Sequence, residues 1–338
     1  MKATAFRQCL PVDHAEALLD IELPDPVAAG HDLLVEVRAV SVNPVDTKVR
    51  RYLPPEPGQV RVPGWDAAGV VLAVGERVTR FRPGDQVMYA GALDRAGSNA
   101  ELQTVDERIV GPMPQCLDFA HAAALPLTFL TAWELLFDRL QVAADKQNSG
   151  ALLVTGAAGG VGSALLQLAR AQTGLTLVGT ASRPETREWA LQMGAHHVID
   201  HRQPLAAQIR ALGMPQVDYA ASLTHTDIHF AELAEILAPQ ARLALIDDPG
   251  PLDIRLLKRK SISLHWEFMF TRPLFGTADV ARQGDILAEV ARLVDAGALR
   301  STLTEHFGNI NAANLRRAHA LLESGHGRGK VVLEGFGG

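Results

Sequence analysis

A chain of 338 residues, 47% of them hydrophobic and 21% charged, falls in the globular range and is long enough for two domains of ordinary size. A formal charge of −6 without long runs of one sign argues against a nucleic-acid partner. Two cysteines, Cys9 and Cys116, can build neither a disulfide framework nor a four-thiolate zinc site, and the N-terminal residues lack the apolar core of a signal peptide, so a cytoplasmic protein without a membrane span is expected.

In chain order, residues 1–115 read as short strands joined by turns. Residues 33–40 alternate, 68–74 form a continuous apolar run, and the turn 82–85 feeds a strand at 86–89. Just ahead of the apolar run, Gly64 and Gly69 flank the pair Trp65-Asp66, which by itself suits a metal, a cofactor or a turn. From about 119 the texture becomes helical, with apolar residues at helical spacing over 128–137. From Gly150 onward strands and helices alternate, with candidate strands at 151–155, 175–180, 197–200, 217–221, 242–246 and 261–265. That alternation predicts a parallel sheet covered on both faces. Two amphipathic helices, 285–296 and 312–322, then lead to a last strand at 330–334.

The strand at 151–155 runs into a turn with Gly156, Gly159 and Gly162 three apart and Gly160 and Val161 between the last two, followed by an apolar helix. Glycine allows a tight turn and close approach of backbone to a pyrophosphate, while the helix N-terminus offers unsatisfied N–H groups and the positive end of its dipole. A dinucleotide site is therefore predicted here, with Ser222 and Ile246, at the ends of two later strands, read as further cofactor contacts. At the end of the next strand, where a carboxylate would hold a ribose 2′-hydroxyl, stand Ala181, Ser182 and Arg183, with Arg187 four residues on. Nothing there repels a 2′-phosphate and two guanidinium groups could bind it, which favours NADPH over NADH; the alternative is that both arginines are solvated charges at a helix start.

With these motifs in place, the sequence resembles the medium-chain dehydrogenase/reductase superfamily, in its zinc-lacking quinone oxidoreductase branch, over essentially its whole length. The likeness rests on Asn43, Pro44 and Asp46 within 41–47, on 64–69 with Val74-Gly75, on Gly84-Asp85 and Val87, on 125–132, on the glycine turn and on the closing 329–333. The resemblance implies an α/β protein: a GroES-like β-rich catalytic domain from 1–122 and 269–338, around a Rossmann doubly wound domain, 123–268, that binds NADPH.

Zinc alcohol dehydrogenases of this superfamily place Cys where Asn43 stands and a His-Glu pair where Trp65-Asp66 stands. Amide oxygen and indole are poor replacements, so no metal is expected, Asp66 alone keeping metal-ligand chemistry, and Trp65 is expected to wall the substrate pocket. His197 with His201, and His225 with His229, are four apart but bring no obvious third ligand.

Without zinc, the resemblance points to Asn43 as the hydrogen-bond donor to the acceptor carbonyl beside the nicotinamide. Tyr52, on the same loop, is the nearest hydroxyl that could supply a proton, and Asp46 and Arg50, four apart, are expected to pair. Thr131 either caps its helix or contacts the nicotinamide. Lys330 is either the family's cofactor-side basic residue or a solvated lysine at a strand start. Phe268 and Phe270 are candidates for the substrate pocket, or else core or dimer contacts, since the strand before them would be a sheet edge able to pair across a two-fold axis in a homodimer. The expected activity is NADPH-dependent hydride transfer to a quinone or α,β-unsaturated carbonyl, conjugated small molecules that need little activation. A zinc-dependent alcohol dehydrogenase and a non-catalytic NADPH-binding protein are the alternatives.

Overall fold

The structure, a computed structural model, describes residues 1–147 and 149–337. The chain divides into two compact units, one made of Met1–Leu130 with Phe270–Gly338 and the other of Thr131–Met269. The first changeover lies inside the helix Pro126–Trp133 rather than ahead of it at 122.

In the first unit a seven-stranded sheet runs in the spatial order Leu303–His306, Lys330–Glu334, Asp32–Val42, Ala67–Val74, Gln86–Tyr89, Val110–Pro112, with Leu102–Asp106 also paired to Asp32–Val42. Only the pair Leu303–His306 and Lys330–Glu334 is parallel. Along Asp32–Val42 buried and half-buried residues alternate as far as Val37, as one covered face requires, and then Ala39 to Val42 are all buried. This strand therefore ends deep in the unit, and Val42 pairs in register with Val331.

The helix Pro44–Tyr52 follows at once, where sequence reading placed a loop. Its signals are Pro44 at the first helical position, Asn43 as the N-cap residue, Asp46 in the first turn, and Arg50 and Arg51 in the last. Trp65, Tyr89, Phe6 and Phe129 are among the fully buried side chains that fill this unit.

The second unit is built on six parallel strands in the order His197–Ile199, Thr176–Thr180, Ala151–Val154, Val217–Ser222, Leu237–Leu245, Ser263–Trp266. Leu153, Val178, Ile199, Ile209, Phe230, Leu233 and Leu243 pack its core. The last strand starts at Ser263, not at 261 as the apolar pattern suggested: Ser261 has φ +54°, a left-handed conformation that interrupts an extended strand. The helical stretch Phe119–Arg139 is long and apolar enough to cross a membrane, but 83% of its apolar window is buried in the protein, which is how a core helix behaves.

Candidate active site and dinucleotide cradle

In the second unit the strand order reverses between Ala151–Val154 and Val217–Ser222, the switch point at which open parallel sheets bind ligands beyond their strand ends. The glycine turn leaves the first of these strands. Gly156 takes φ +64°, and its N–H donates to Thr180 Oγ1 at 3.2 Å. A methyl group on Gly156 would lie 3.0 Å from Thr224 Cγ2, so the loops leaving the two central strands meet here. Thr155 ties them further, its hydroxyl accepting from the N–H of Leu223 at 2.9 Å.

Gly159 is the N-cap residue of the helix Gly160–Gln172 and has no side chain with which to satisfy the first-turn N–H groups, which include those of Gly160 and Val161. A Cβ on Gly162 would lie 2.5 Å from Gly156 O and 2.7 Å from Ala157 Cα, so glycine is required there for the helix to pack on its own turn. A Cβ on Gly159 would meet only Gly156 O, at 3.4 Å. Packing does not demand glycine at 159, whereas a phosphate lying against the turn would. The cradle fits a dinucleotide.

At the ribose end, Ala181 is buried and no carboxylate stands at 181–183. Arg183 pairs with Glu185 at 3.2 Å, and Arg187 donates to the carbonyls of Ala181 and Val198 at 3.2 and 2.8 Å, which braces the ends of two strands. Sequence reasoning missed Arg202, which donates to Ser182 O at 3.2 Å and holds Asp200 through Nε and Nη2. Hydrogen bonds from the Arg202 side chain pull the Asp200 carboxyl down to about 2. The rim thus carries three guanidinium groups against two acids.

Two expectations in this unit need correction. Ser222 is fully buried and its hydroxyl is 2.7 Å from that of Thr226, so its side chain serves the fold and offers nothing to a cofactor. Thr131 is the sixth residue of the helix Pro126–Trp133, well past its N-terminus, so of its two expected roles that of N-cap falls away. Ile246 is half-buried, its N–H donating to Ser222 O at 3.3 Å, and Phe268 is 47% exposed.

The first unit holds a buried polar cluster where the resemblance pointed. Asn43, Asp46, Asp66 and Lys330 are all at most 3% exposed. The Asn43 side-chain amide donates to Trp65 O at 3.1 Å and to Asp66 Oδ2 at 2.8 Å, while its oxygen accepts from Lys330 Nζ. Lys330 Nζ also donates to Val42 O at 3.1 Å and to Asp66 Oδ2 at 2.9 Å. The other oxygen of Asp66 accepts from the N–H of Leu127 at 2.7 Å, in the first turn of the helix Pro126–Trp133. Asp46 Oδ2 accepts from the N–H of Asn43 at 2.8 Å.

Burial pushes both acids up, Asp46 to about 7, against the opposing effects of the Asn43 N–H and Lys330. Asp66 nevertheless has three donors and no acceptor around it, the environment of a carboxylate, and Lys330 has three acceptors, the environment of an ammonium.

This geometry overturns four sequence expectations, those for Asn43, Lys330, Trp65 and Arg50, and decides between the alternatives for Phe270. Both amide hydrogens of Asn43 are committed to Trp65 and Asp66, so Asn43 has none to offer an acceptor carbonyl. Lys330 is neither solvated nor aimed at a cofactor, since its three hydrogens are taken up by three buried oxygens. Trp65 is 1% exposed with its N–H donating to Ala92 O at 3.1 Å, so it is core and not pocket wall; Phe270, 3% exposed, is core as well. Arg50 does not pair with Asp46: it is fully buried and binds Glu323, Leu10 O and, at 3.3 Å, His319 Nδ1, and burial beside this guanidinium pushes the imidazole down to about 3. Tyr52 ends its helix 64% exposed, with the Arg51 guanidinium 5.1 Å from its ring centre, and takes no part in the cluster.

A catalytic zinc does not fit these residues. The oxygens are those of an amide, a backbone carbonyl and one carboxylate, the cysteines lie elsewhere, and a cationic side chain already contacts all three oxygens. His201 and His229 approach edge to face at 6.3 Å, but among the described residues no group of three His, Cys, Asp or Glu side chains is placed to hold a metal ion.

An all-parallel sheet with a glycine turn at its switch point defines the second unit as dinucleotide-binding, of the doubly wound class. The family model of the alcohol dehydrogenase GroES-like domain matches residues 29–115, and that of the zinc-binding dehydrogenases matches 193–333. A zinc-type alcohol dehydrogenase-like protein of Staphylococcus aureus is 38% identical over 98% of this chain and 99% of its own length. The quinone oxidoreductase of Lama guanicoe is 30% identical over 93% of this chain and 92% of its own. Among solved structures, a Rhizobium etli protein carrying the zinc-dependent alcohol dehydrogenase name is 58% identical with a TM-score of 0.97, covering 100% of this chain and 98% of that one. A mycobacterial protein solved with NADPH is 27% identical with a TM-score of 0.83, covering 99% of each chain. The chain belongs to the medium-chain dehydrogenase/reductase superfamily, in its quinone oxidoreductase-like branch, and its two units are the GroES-like and Rossmann-like parts of that α/β fold.

Proposed function

We propose that this protein is an NADPH-dependent oxidoreductase that reduces a quinone or an α,β-unsaturated carbonyl without catalytic zinc. The observation that carries the reading is the Lys330 ammonium, buried among Val42 O, Asn43 Oδ1 and Asp66 Oδ2, where thiolate and imidazole ligands would have to be. The mycobacterial relative's NADPH and the guanaco relative's quinone oxidoreductase name support it.

When bound, the reduced nicotinamide supplies a hydride. The turn Gly156–Gly162 would hold the pyrophosphate against the helix N-terminus, and Arg183 and Arg202 stand at the strand ends where a 2′-phosphate would add charge-assisted hydrogen bonds. Thr131, at the start of the dinucleotide-binding unit, is kept as the nicotinamide contact.

With Asn43 committed elsewhere, the buried cluster supplies no side-chain amide to polarise a carbonyl. That restricts the acceptor to molecules whose own conjugation spreads the charge delivered with the hydride; a simple ketone would need a Lewis acid or a strong donor. One proton completes the reduction to hydroquinone or saturated carbonyl, and it comes from solvent or from the exposed hydroxyl of Tyr52. The half-exposed edge strand Ser263–Trp266, paired on one side with Leu237–Leu245 and carrying Trp266 at 55% exposure, is the surface through which two copies would join as a homodimer.

The test is a panel of ortho-quinones, enones, simple ketones and primary alcohols, each assayed with NADPH and NADH, with light scattering for the assembly. Conjugated acceptors with NADPH should turn over and alcohols should not. Alcohol oxidation as the leading activity would refute the reading, and no turnover with any member would leave a binding protein.

A further inference from the structure

We propose that Lys330 is the resident cation of a three-oxygen site in the GroES-like unit, a site that will accept a small free cation once the ammonium is removed. This deepens the metal-free part of the function proposed above and rests on it only there, because its test reads stability and not turnover.

The three oxygens come from two pieces of chain, the adjoining residues Val42 and Asn43 and the distant Asp66. Val42 O closes the strand Asp32–Val42, Asn43 Oδ1 belongs to the N-cap of the helix Pro44–Tyr52, and Asp66 Oδ2 lies just ahead of the strand Ala67–Val74. The ammonium has three hydrogens for these three acceptors. Its place is fixed by the sheet: Val331 pairs with Val42, the Ser41 hydroxyl donates to Val331 O at 2.9 Å, and Lys330 N donates to Thr302 O at 2.8 Å.

Around it are one full carboxylate, two strong dipoles and, as a second acid that feels the Lys330 charge, Asp46. A buried carboxylate facing two carbonyl-type oxygens cannot stand without positive charge beside it. Such a need is met by a paired side chain, by a bound ion or by a proton. All three ligands are hard oxygens, the set that suits ammonium, sodium or magnesium rather than zinc. Here the cation is carried on a side chain, so it cannot dissociate and leaves no vacancy for a metal. Replacing Lys330 by alanine would keep the three oxygens, which are anchored by the strand ladder, the helix cap and the Leu127 N–H, and would open the position of the nitrogen.

The experiment is thermal unfolding of wild-type protein, K330A and K330A/D66N in chlorides of tetramethylammonium, ammonium, sodium and magnesium at equal ionic strength. Tetramethylammonium is the control, being too wide and having no N–H. In that salt K330A should melt roughly 5–10 °C below wild type, as expected for breaking a buried pair. Ammonium, sodium or magnesium should restore part of the loss saturably, and neither wild type nor K330A/D66N should distinguish the salts. A K330A protein whose melting is indifferent to the cation overturns the proposal. If K330A does not fold, K330M is compared with K330M/D66N: the double variant, freed of the stranded carboxylate, should be the more stable, and the reverse order overturns the proposal. Stoichiometric zinc found by mass spectrometry in wild-type protein would count against the proposed function, whatever the salt series shows.

Discussion

Replacing Gly159 and Gly162 separately by alanine divides cofactor binding from helix packing. At Gly162 the new methyl would sit 2.5 Å from Gly156 O and 2.7 Å from both Ala157 Cα and Ala157 O, all backbone atoms that cannot swing aside. The helix Gly160–Gln172 must then move away from its turn, an overpacking that costs about 1–3 kcal/mol, or a few degrees in Tm, and takes the N–H groups with it. At Gly159 the methyl meets only Gly156 O at 3.4 Å, an ordinary contact, and φ is −72°, which alanine adopts freely. G159A should therefore fold with stability within about 0.5 kcal/mol of wild type. If a pyrophosphate lies on this turn, however, the same methyl stands against it, and a loss of about 1.4 kcal/mol corresponds to tenfold weaker binding. Titration of NADPH fluorescence together with calorimetric melting gives both quantities. The expected pattern is G162A impaired in both and G159A impaired in binding alone; G159A binding NADPH as tightly as wild type would refute the placement of the dinucleotide.

Arg202→Ala would release Asp200 beside the ribose end, exchanging a cation for an unpaired carboxylate, so the ratio of kcat/KM for NADPH over NADH should fall roughly tenfold or more; an unchanged ratio would remove Arg202 from cofactor selection. Asp46 holds a proton in the folded protein up to about pH 7 that the unfolded chain releases near its ordinary value of 3.8. Its contribution is therefore full below pH 3.8 and is lost as the pH rises through 7, by at most about 1.4 kcal/mol per pH unit. Urea unfolding across this range should show the stability of wild type relative to D46N declining between pH 4 and 7 and levelling above it, whereas parallel curves would contradict the assignment.

The parts of this molecule legible in sequence were those whose signals are local. The strand, glycine turn and helix at 151–172 announce themselves by spacing, and the strand–helix alternation behind them predicted the parallel sheet that forms. The helix Pro44–Tyr52 carries local signals too, in Asn43, Pro44 and Asp46, but in its nine residues Val45 and Val49 are the only aliphatic side chains besides the proline, too few for a helical period to show. The buried cluster could not be read this way. Lys330 and Asp66 are 264 positions apart and Arg50 and His319 are 269 apart, and no periodicity shows which distant lysine or histidine a sheet register will bring alongside. Asn43 illustrates the physical reason: an amide is a donor on paper, but whether its hydrogens remain free depends on neighbours that only the folded chain supplies. Trp65 and Ser222 failed likewise, being polar-tipped residues whose N–H and hydroxyl turned out to be spent inside the fold.

The most direct test of the account is turnover by protein stripped of metal. Protein dialysed against chelator until mass spectrometry finds less than about a tenth of an equivalent of any transition metal should reduce a conjugated carbonyl with NADPH at the undialysed rate, because Lys330 and not an ion supplies the positive charge of the buried cluster. Activity that disappears with the metal and returns on adding zinc would contradict it.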